Sequence, residues 1–308
     1  MMSTVFHAGE RDVQARAGVA EMARRVGRTI QSRIPPSVDD FLRTQRLAIV
    51  GASAPDGQVW ATPLTGSPGF LQVLDARTLQ IAGPAQPGDP FVGHLAVGQP
   101  LGMLVIDLAE RSRLRLNGPV AAAAADRFVL RVDEVYGNCQ KYIQKRVFDT
   151  AASQDNVLAE IQRTSGLTAA QQIWIGRSDT FFIASMHAEA GADVSHRGGR
   201  SGFVQVLGAS SLLWPDYPGN ATFNTPGKLA VDPRAGLLFV DFESGRILQL
   251  TGTARVIWNP DRGADDVGAE RLVEFSIVEV VERSGVSALR RRFVEYSRFN
   301  PVVRPLTE

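Results

Sequence analysis

The chain repeats itself once. Gly69-Phe70-Leu71-Gln72-Val73-Leu74-Asp75-Ala76-Arg77-Thr78-Leu79 lies over Gly202-Phe203-Val204-Gln205-Val206-Leu207-Gly208-Ala209-Ser210-Ser211-Leu212, with seven identities in eleven positions at an offset of 133. At an offset of 134 the register continues: Leu95-Ala96-Val97 meets Leu229-Ala230-Val231, Gly102 to Asp107 meets Gly236 to Asp241, and Leu114 to Gly118 meets Leu248 to Gly252. One inserted residue accounts for the step. A period this long is not a solenoid unit, because each copy is large enough to own a core, so the 308 residues read as two duplicated domains.

Each copy reads as mostly β. Arg46 to Ala52, Phe70 to Leu74, Leu101 to Leu108 and Leu114 to Leu116 are short apolar or alternating runs with Gly/Pro-rich punctuation such as Asp56-Gly57 and Ser67-Pro68-Gly69. Thr180 to Met186, Gly202 to Leu207, Gly236 to Phe242 and Arg246 to Leu250 repeat the pattern. The third run of each copy is nearly all apolar, as expected of a strand buried on both faces, and a small barrel meets that requirement.

Helices are expected at the edges. Glu10 to Ile30 puts Val13, Ala17, Ala20, Ala23, Val26 and Ile30 on one face of an amphipathic helix. Ser37 with Asp40 resembles a capping box opening a short helix through Phe41-Leu42. Ser153 opens a further helix along Val157, Leu158 and Ile161 that stops at Gly166, and Thr168 caps another ending near Gly176. After the second copy, Arg271 to Val281 alternates like a strand, while Ser287 to Ser297 reads as a helix with Leu289, Phe293 and Tyr296 inward. The organisation is a helical arm over 1–40, a first barrel over 41–149, a helical linker over 150–178, and a second barrel with a strand-helix tail over 179–308.

Composition narrows the function classes. Hydrophobic residues make up 44% of the chain and charged residues 21%, which fits a soluble globular protein. A net charge of +1 gives no global field for gripping nucleic acid or an anionic membrane. The single cysteine, Cys139, excludes an intrachain disulfide framework and any multi-cysteine metal site within the chain. The amino terminus lacks the order of a signal peptide, and no apolar run approaches the ~20 residues of a spanning helix, so a cytoplasmic location is expected. No Gly-x-Ser-x-Gly elbow, P-loop or Gly-x-Gly-x-x-Gly fingerprint occurs, and His7, His94, His187 and His196 show no metal-ligand spacing.

Two polar segments of the second copy remain. Asp193-Val194-Ser195-His196-Arg197-Gly198-Gly199-Arg200 offers guanidinium groups, a hydroxyl and small residues that suit a phosphate, although a solvated turn with exposed arginines fits the same residues. Trp214 to Lys228 combines aromatic surface, which can cover a planar ring, with Asn and Thr groups and one Lys, although a long self-capping loop is the plainer reading. In the first copy Thr62-Pro63-Leu64-Thr65-Gly66-Ser67 stands where the second has Ser195 to Arg200, so a retained site belongs to the second copy. Arg111, Arg113 and Arg115 form a basic ladder on one strand face, open to a phosphate or simply solvated. Cys139 reads as a packed small hydrophobe.

Beyond these readings, the chain resembles the pyridoxamine 5′-phosphate oxidase-like family of FMN-binding split barrels, and more narrowly the bacterial members with two such barrels in tandem. The resemblance rests on Phe6-His7-Ala8-Gly9-Glu10, Trp60-Ala61, Gly69-Phe70, Gly137 to Gln144, Asp193 to Gly199, Pro215-Asp216 with Gly219-Asn220, Phe223-Asn224-Thr225 and Phe299-Asn300-Pro301. It implies an α+β chain, mainly β with flanking helices, built as two tandem six-stranded split β-barrels with FMN at an interface between barrels. Carried over residue by residue, Ser195, His196 and Arg197 become phosphate-side positions, and Asn220, Thr222, Asn224 and Lys228 become ring or ribityl positions. Gly219-Asn220-Ala221-Thr222 replaces the Ser-Arg-Lys clamp of the oxidases proper.

The implied function is that of an FMN-dependent oxidoreductase passing hydride or electrons between a small-molecule substrate and a donor such as NADH or NADPH, or a separate reductase. No catalytic residue and no metal is assigned. The alternatives are a non-catalytic flavin- or haem-binding sensor, with His196 or His187 as haem ligand, and a cofactor-free scaffold. A ligand between two barrels can be held by one tandem chain or by a homodimer.

Overall fold

The computed structural model describes residues 5–83, 86–149, 160–258, 269–284 and 287–302. The first copy forms β1 (Leu47–Ser53), β2 (Val59–Thr65), β3 (Leu71–Asp75), β4 (Thr78–Ala82), β5 (Pro100–Asp107), β6 (Ser112–Ala123), β7 (Arg127–Arg131) and β8 (Glu134–Gly137). β9 (Lys145–Phe148) and β10 (Ile161–Thr164) follow. The second copy forms β11 (Thr180–His187), β12 (Gly191–Gly198), β13 (Gln205–Gly208), β14 (Ser211–Asp216), β15 (Arg234–Asp241), β16 (Arg246–Trp258) and β17 (Arg271–Arg283), and β18 (Arg291–Glu295) comes last.

The same strand order occurs in both copies. The first sheet runs β2-β1-β5-β6-β7-β4-β3 and the second β12-β11-β15-β16-β17-β14-β13, every strand of one copy taking its counterpart's place. Even the bulge between β3 and β4, at Val73/Asp75, recurs at Val206/Gly208. Each sheet has eight strands rather than the expected six: seven lie on the ordered path, and β8 joins β6 in the first while β10 joins β17 in the second. In the first copy β7 and β8 divide the ground that the unbroken β17 covers in the second.

Each sheet curls around its own core. Trp60 on β2 and Leu71 on β3 lie at opposite ends of the hydrogen-bonded path, yet both enter one buried cluster with Val50, Met103 and Phe128. β2 and β3 do not pair with each other, so the barrel is split. The second cluster, with Phe181, Trp214, Phe239 and Phe275, is its counterpart. A third cluster joins the two barrels: Ile49, Leu104 and Ile106 from the first meet Phe182, Val194 and Leu238 from the second. β5 and β15 are therefore apolar on both faces for two different reasons, one face lining a barrel and the other the layer between barrels. Glycines set the spacing of that layer. A Cβ on Gly102 would stand 2.6 Å from the Asp193 backbone, and one on Gly236 would stand 2.5 Å from that of Trp60, two contacts related by the duplication.

The flanking elements differ more from expectation. The N-terminal helix is two helices, α1 (Ala8–Arg16) and α2 (Ala20–Gly27), because Gly18 takes a left-handed φ of 70° between them. α3 (Asp39–Thr44) forms where the short helix was expected, but its N-cap is Val38 and no side chain caps it. Residues 150–159, and with them most of the helix expected after Ser153, lie outside the described residues, and Ile161–Thr164 is strand β10. α4 (Ala169–Arg177) has the capping box of Thr168 and Gln171. The expected C-terminal helix is instead a 3-10 turn and β18, which pairs with β9, leaving Phe293 and Tyr296 exposed and only Leu289 inward. Among the described residues no helix is long and apolar enough to cross a membrane.

Candidate functional site: a cleft between the barrels

The cleft draws on both copies. Arg113 and Arg115 reach it from β6, Asn138 to Tyr142 from the segment after β8, Ser195 to Gly198 from β12, and residues 215–226 from the end of β14 and the loop beyond. That loop leads into α5 (Asn224–Leu229). Strand alternation in β6 turns Arg113 and Arg115 to one face, as the ladder predicts. The third rung differs: Arg111 sits in the preceding turn and bonds the Ile143 carbonyl and Glu295. Of the remaining two, Arg115 is buried at 5% exposure and Arg113 is half-buried.

Arg115 is the structural hub. Its Nη1 donates to the Tyr136 hydroxyl and to Asn224 Oδ1, both at 2.9 Å, and its Nη2 donates to Ser195 Oγ at 2.8 Å. Its Nε lies 3.1 Å from the carboxylate of fully buried Asp193. Burial alone would weaken the charge on Arg115, but Asp193 more than offsets it, so its pKa is raised. Ser195 is likewise committed, accepting from Arg115 and from Thr225 Oγ1 at 2.9 Å.

Arg113, His196 and Arg197 have capacity left. Arg113 donates to the Cys139 carbonyl and to His196 Nδ1, the latter at 2.9 Å. Burial, and then repulsion from Arg115, lower its pKa to about 9, so it stays cationic at neutral pH. A guanidinium can only donate, so His196 Nδ1 accepts and the ring proton sits on Nε2. Burial and the charge of Arg113 hold His196 well below its usual pKa, and it is neutral. Its Nε2–H is thus a donor, not a free lone pair for haem iron. Among the described residues Arg197 makes only long contacts, 3.4 Å to the His196 carbonyl and 3.8 Å to Asp216.

Of the seven positions the resemblance supplied, six line this cleft: Ser195, His196, Arg197, Asn220, Thr222 and Asn224. Lys228 does not, because its Nζ is held by the carbonyls of Ala190 and Gly191 at 2.9 and 3.0 Å. His187 also lies elsewhere, its Nδ1 accepting from Glu189 and Ala190. Asn220 donates to Asn138 at 2.8 Å, and the Thr222 hydroxyl lies 2.7 Å from Asn220 Oδ1 and 2.6 Å from Asn224 Oδ1. These side chains mostly shape the loop. Half-buried Cys139 lies at the cleft edge rather than in a core. The site positions named from the sequence all lie in the second copy, with the arginine ladder of the first as a further phosphate candidate, and they leave out Asn138, Lys141 and Tyr142; the run Gly137 to Gln144 is the available signal.

The duplication places a second such location across the molecule, and it is sealed. Gln249, the counterpart of Arg115, donates to Thr62, the counterpart of Ser195, at 2.7 Å. Arg283 closes the group, bonding Gln249 at 3.0 Å and Asp89 at 3.1 Å, and Thr62 donates to Asp89 at 2.8 Å. The four side chains are buried and bonded to one another, with Arg283 Nη1 alone among them left without a partner among the described residues.

Fold and cleft together define a class: a tandem split barrel with one polar, cationic cleft between its halves. No family model and no curated protein matches the chain. Parts of it are similar to solved structures. One is a protein of Lactobacillus delbrueckii provisionally named a pyridoxamine 5′-phosphate oxidase, at 19% identity over 38% of this chain and 94% of that one, with a TM-score of 0.32. Another is an FAD-binding protein of Mesorhizobium loti, at 11% identity over 42% and 99%, with a TM-score of 0.28. A third is an FMN-binding protein of Syntrophomonas wolfei, at 9% identity over 37% and 86%, with a TM-score of 0.26.

Proposed function

We propose that the chain is a flavoprotein that binds flavin mononucleotide in the inter-barrel cleft and uses it to pass hydride or electrons to or from a small-molecule substrate. The observation that carries this reading is a set of four buried atoms lining the cleft, Arg113 Nε, Arg197 Nε, Asn138 Nδ2 and His196 Nε2, that have no hydrogen-bond partner among the described residues. All four bear hydrogen. A buried donor left unpaired costs about 1–3 kcal/mol, so the cleft is built for a ligand rich in acceptors. The cationic side chains Arg113, Arg197 and Lys141 favour an anion, which suits a phosphate. Tyr142 and Tyr217, with ring centroids 5.4 Å apart, and Phe203 and Phe223 supply aromatic surface for a flat ring.

Bound flavin would supply the redox chemistry, and the protein supplies position and electrostatics. Arg113 and Arg197 hold the anion, His196 donates from Nε2, and Arg115 with Asp193 fastens β6 to β12, the two strands that carry them. NADH, NADPH or a separate reductase is the proposed electron source, in a cytoplasmic protein that works as a tandem monomer or a homodimer. The test is reconstitution. Purified protein titrated with FMN should take up yellow flavin and quench its fluorescence, and NADH or NADPH should bleach it under anaerobic conditions. Bound flavin that no donor bleaches leaves a flavin store or sensor. A colourless protein that takes up no FMN overturns the reading, and a Soret band would replace it with haem.

A further inference from the structure

The motif Phe6-His7-Ala8-Gly9-Glu10 stands some forty residues before the first strand, yet it packs on the second barrel. Phe6 is buried, and α1 crosses α5 with backbones in contact: a Cβ on Gly9 would lie 2.5 Å from the Gly227 carbonyl, and one on Gly227 would lie 2.5 Å from Glu10 Cγ. Two side chains of α1 then reach the cleft loop. Glu10 Oε1 accepts from Asn224 Nδ2 at 2.8 Å, and Gln14 Nε2 donates to the Thr222 carbonyl at 2.8 Å. Both bonds are buried. Further along, Arg16 lies over the Trp258 ring at 4.3 Å.

The loop needs such a hold. Ala221 and Phe223, the residues on either side of Thr222, have left-handed φ values of 61° and 56°. Neither is glycine, and such conformations persist only when the surroundings enforce them. Beside the bonds within the loop and from Arg115, the arm adds one contact to the Thr222 carbonyl and one to Asn224, whose Oδ1 accepts from Arg115.

We propose that the N-terminal arm is a strap that sets the conformation of the cleft wall at 220–229, with Glu10 as its positioning residue. This rests on the flavin reading only for the identity of the ligand. Docking the strap and filling the cleft are two events on one loop, so each strengthens the other by the same factor.

The experiment uses the full chain and two variants that loosen the strap in different ways, Gly9→Val by steric clash and Glu10→Ala by loss of the acceptor. Amide hydrogen exchange is followed at 220–229, with β15 and β16 as internal controls for folding, and FMN affinity is measured on the same samples. The expected result is at least tenfold faster exchange at 220–229 with the control strands unchanged, and at least tenfold weaker FMN binding. Glu10→Gln, which keeps an acceptor for Asn224, should recover most of both. Unchanged loop exchange in Gly9→Val, while trypsin now cuts at Arg11 or Arg16, would overturn the strap. A wild-type protein that binds no FMN but whose loop loosens in the variants refutes the flavin reading and upholds the strap.

Discussion

Gln249 donates to Thr62 at 2.7 Å in the place where Arg115 donates to Ser195 at 2.8 Å. The two bonds are images of each other under the duplication, but one sits in an open cleft and the other in a closed polar plug with Arg283 and Asp89. One ligand per chain is therefore expected. Titration of a known protein concentration with FMN should saturate at one equivalent, and a second equivalent with comparable affinity would show that the plug opens.

Arg197 and Arg115 should separate binding from stability. Arg197 makes only long protein contacts, so Arg197→Ala should weaken FMN binding by about 1.5–3 kcal/mol, roughly ten- to a hundredfold, through loss of a charge-assisted bond. Fluorescence titration measures this, and an unchanged dissociation constant removes Arg197 from the site.

Arg115→Met should instead unfold the protein more easily. It strands the carboxylate of Asp193 in the interior, and breaking a buried ion pair from one side costs about 3–5 kcal/mol. Denaturant unfolding should show the loss. Arg115→Lys should not restore it, because one ammonium cannot reach Tyr136, Asn224, Ser195 and Asp193 together.

The strap carries a pair of opposed titrations. In the docked arm, burial and the charge of Lys228 lower His7 from 6.5 to about 4, and burial raises Glu10 from 4.5 to about 7. Between pH 4.5 and 6.5 the free arm holds its one proton on His7 and the docked arm holds one on Glu10, so docking exchanges no proton and its stability is flat. Glu10→Gln leaves only His7, whose docked form binds fewer protons, so docking should strengthen as pH rises from about 4 to 6.5. His7→Gln leaves only Glu10, whose docked form binds more, so docking should weaken from 4.5 to about 7. Trypsin protection of the arm across pH reads both slopes, and a flat profile in either variant would contradict the opposed titrations.

Where sequence and structure agree, burial explains it. β5 and β15 are enclosed on both faces, so their apolar runs survive the divergence of the copies and expose the repeat. β2 escaped notice because Pro63 argues against a strand, and the proline is tolerated because β2 ends its sheet, where one backbone donor needs no ladder partner. β12 was read as a polar segment because its charges face the other barrel and the cleft rather than solvent. Leu289, Phe293 and Tyr296 share a helical spacing, but pairing with β9, where Arg291 stacks on Phe148 at 4.6 Å, decides for a strand. Six of the seven family-derived positions gathered in one cleft, while the partners of Arg115 lie 80 and 109 residues away and no local pattern joins them.

Gln144 ties the cleft wall to the segment that follows β18. Its Oε1 accepts from the Ser297 backbone at 2.8 Å and from Asn300 at 2.9 Å, while its Nε2 donates to the Gly199 carbonyl at 2.9 Å. Tyr142 N also donates to Ser297 Oγ at 3.2 Å. The residues that fasten this wall stand 153 and 156 positions beyond the glutamine they hold. Both barrels can therefore fold before this wall is fastened, since its closure waits on a contact between residues far apart in sequence.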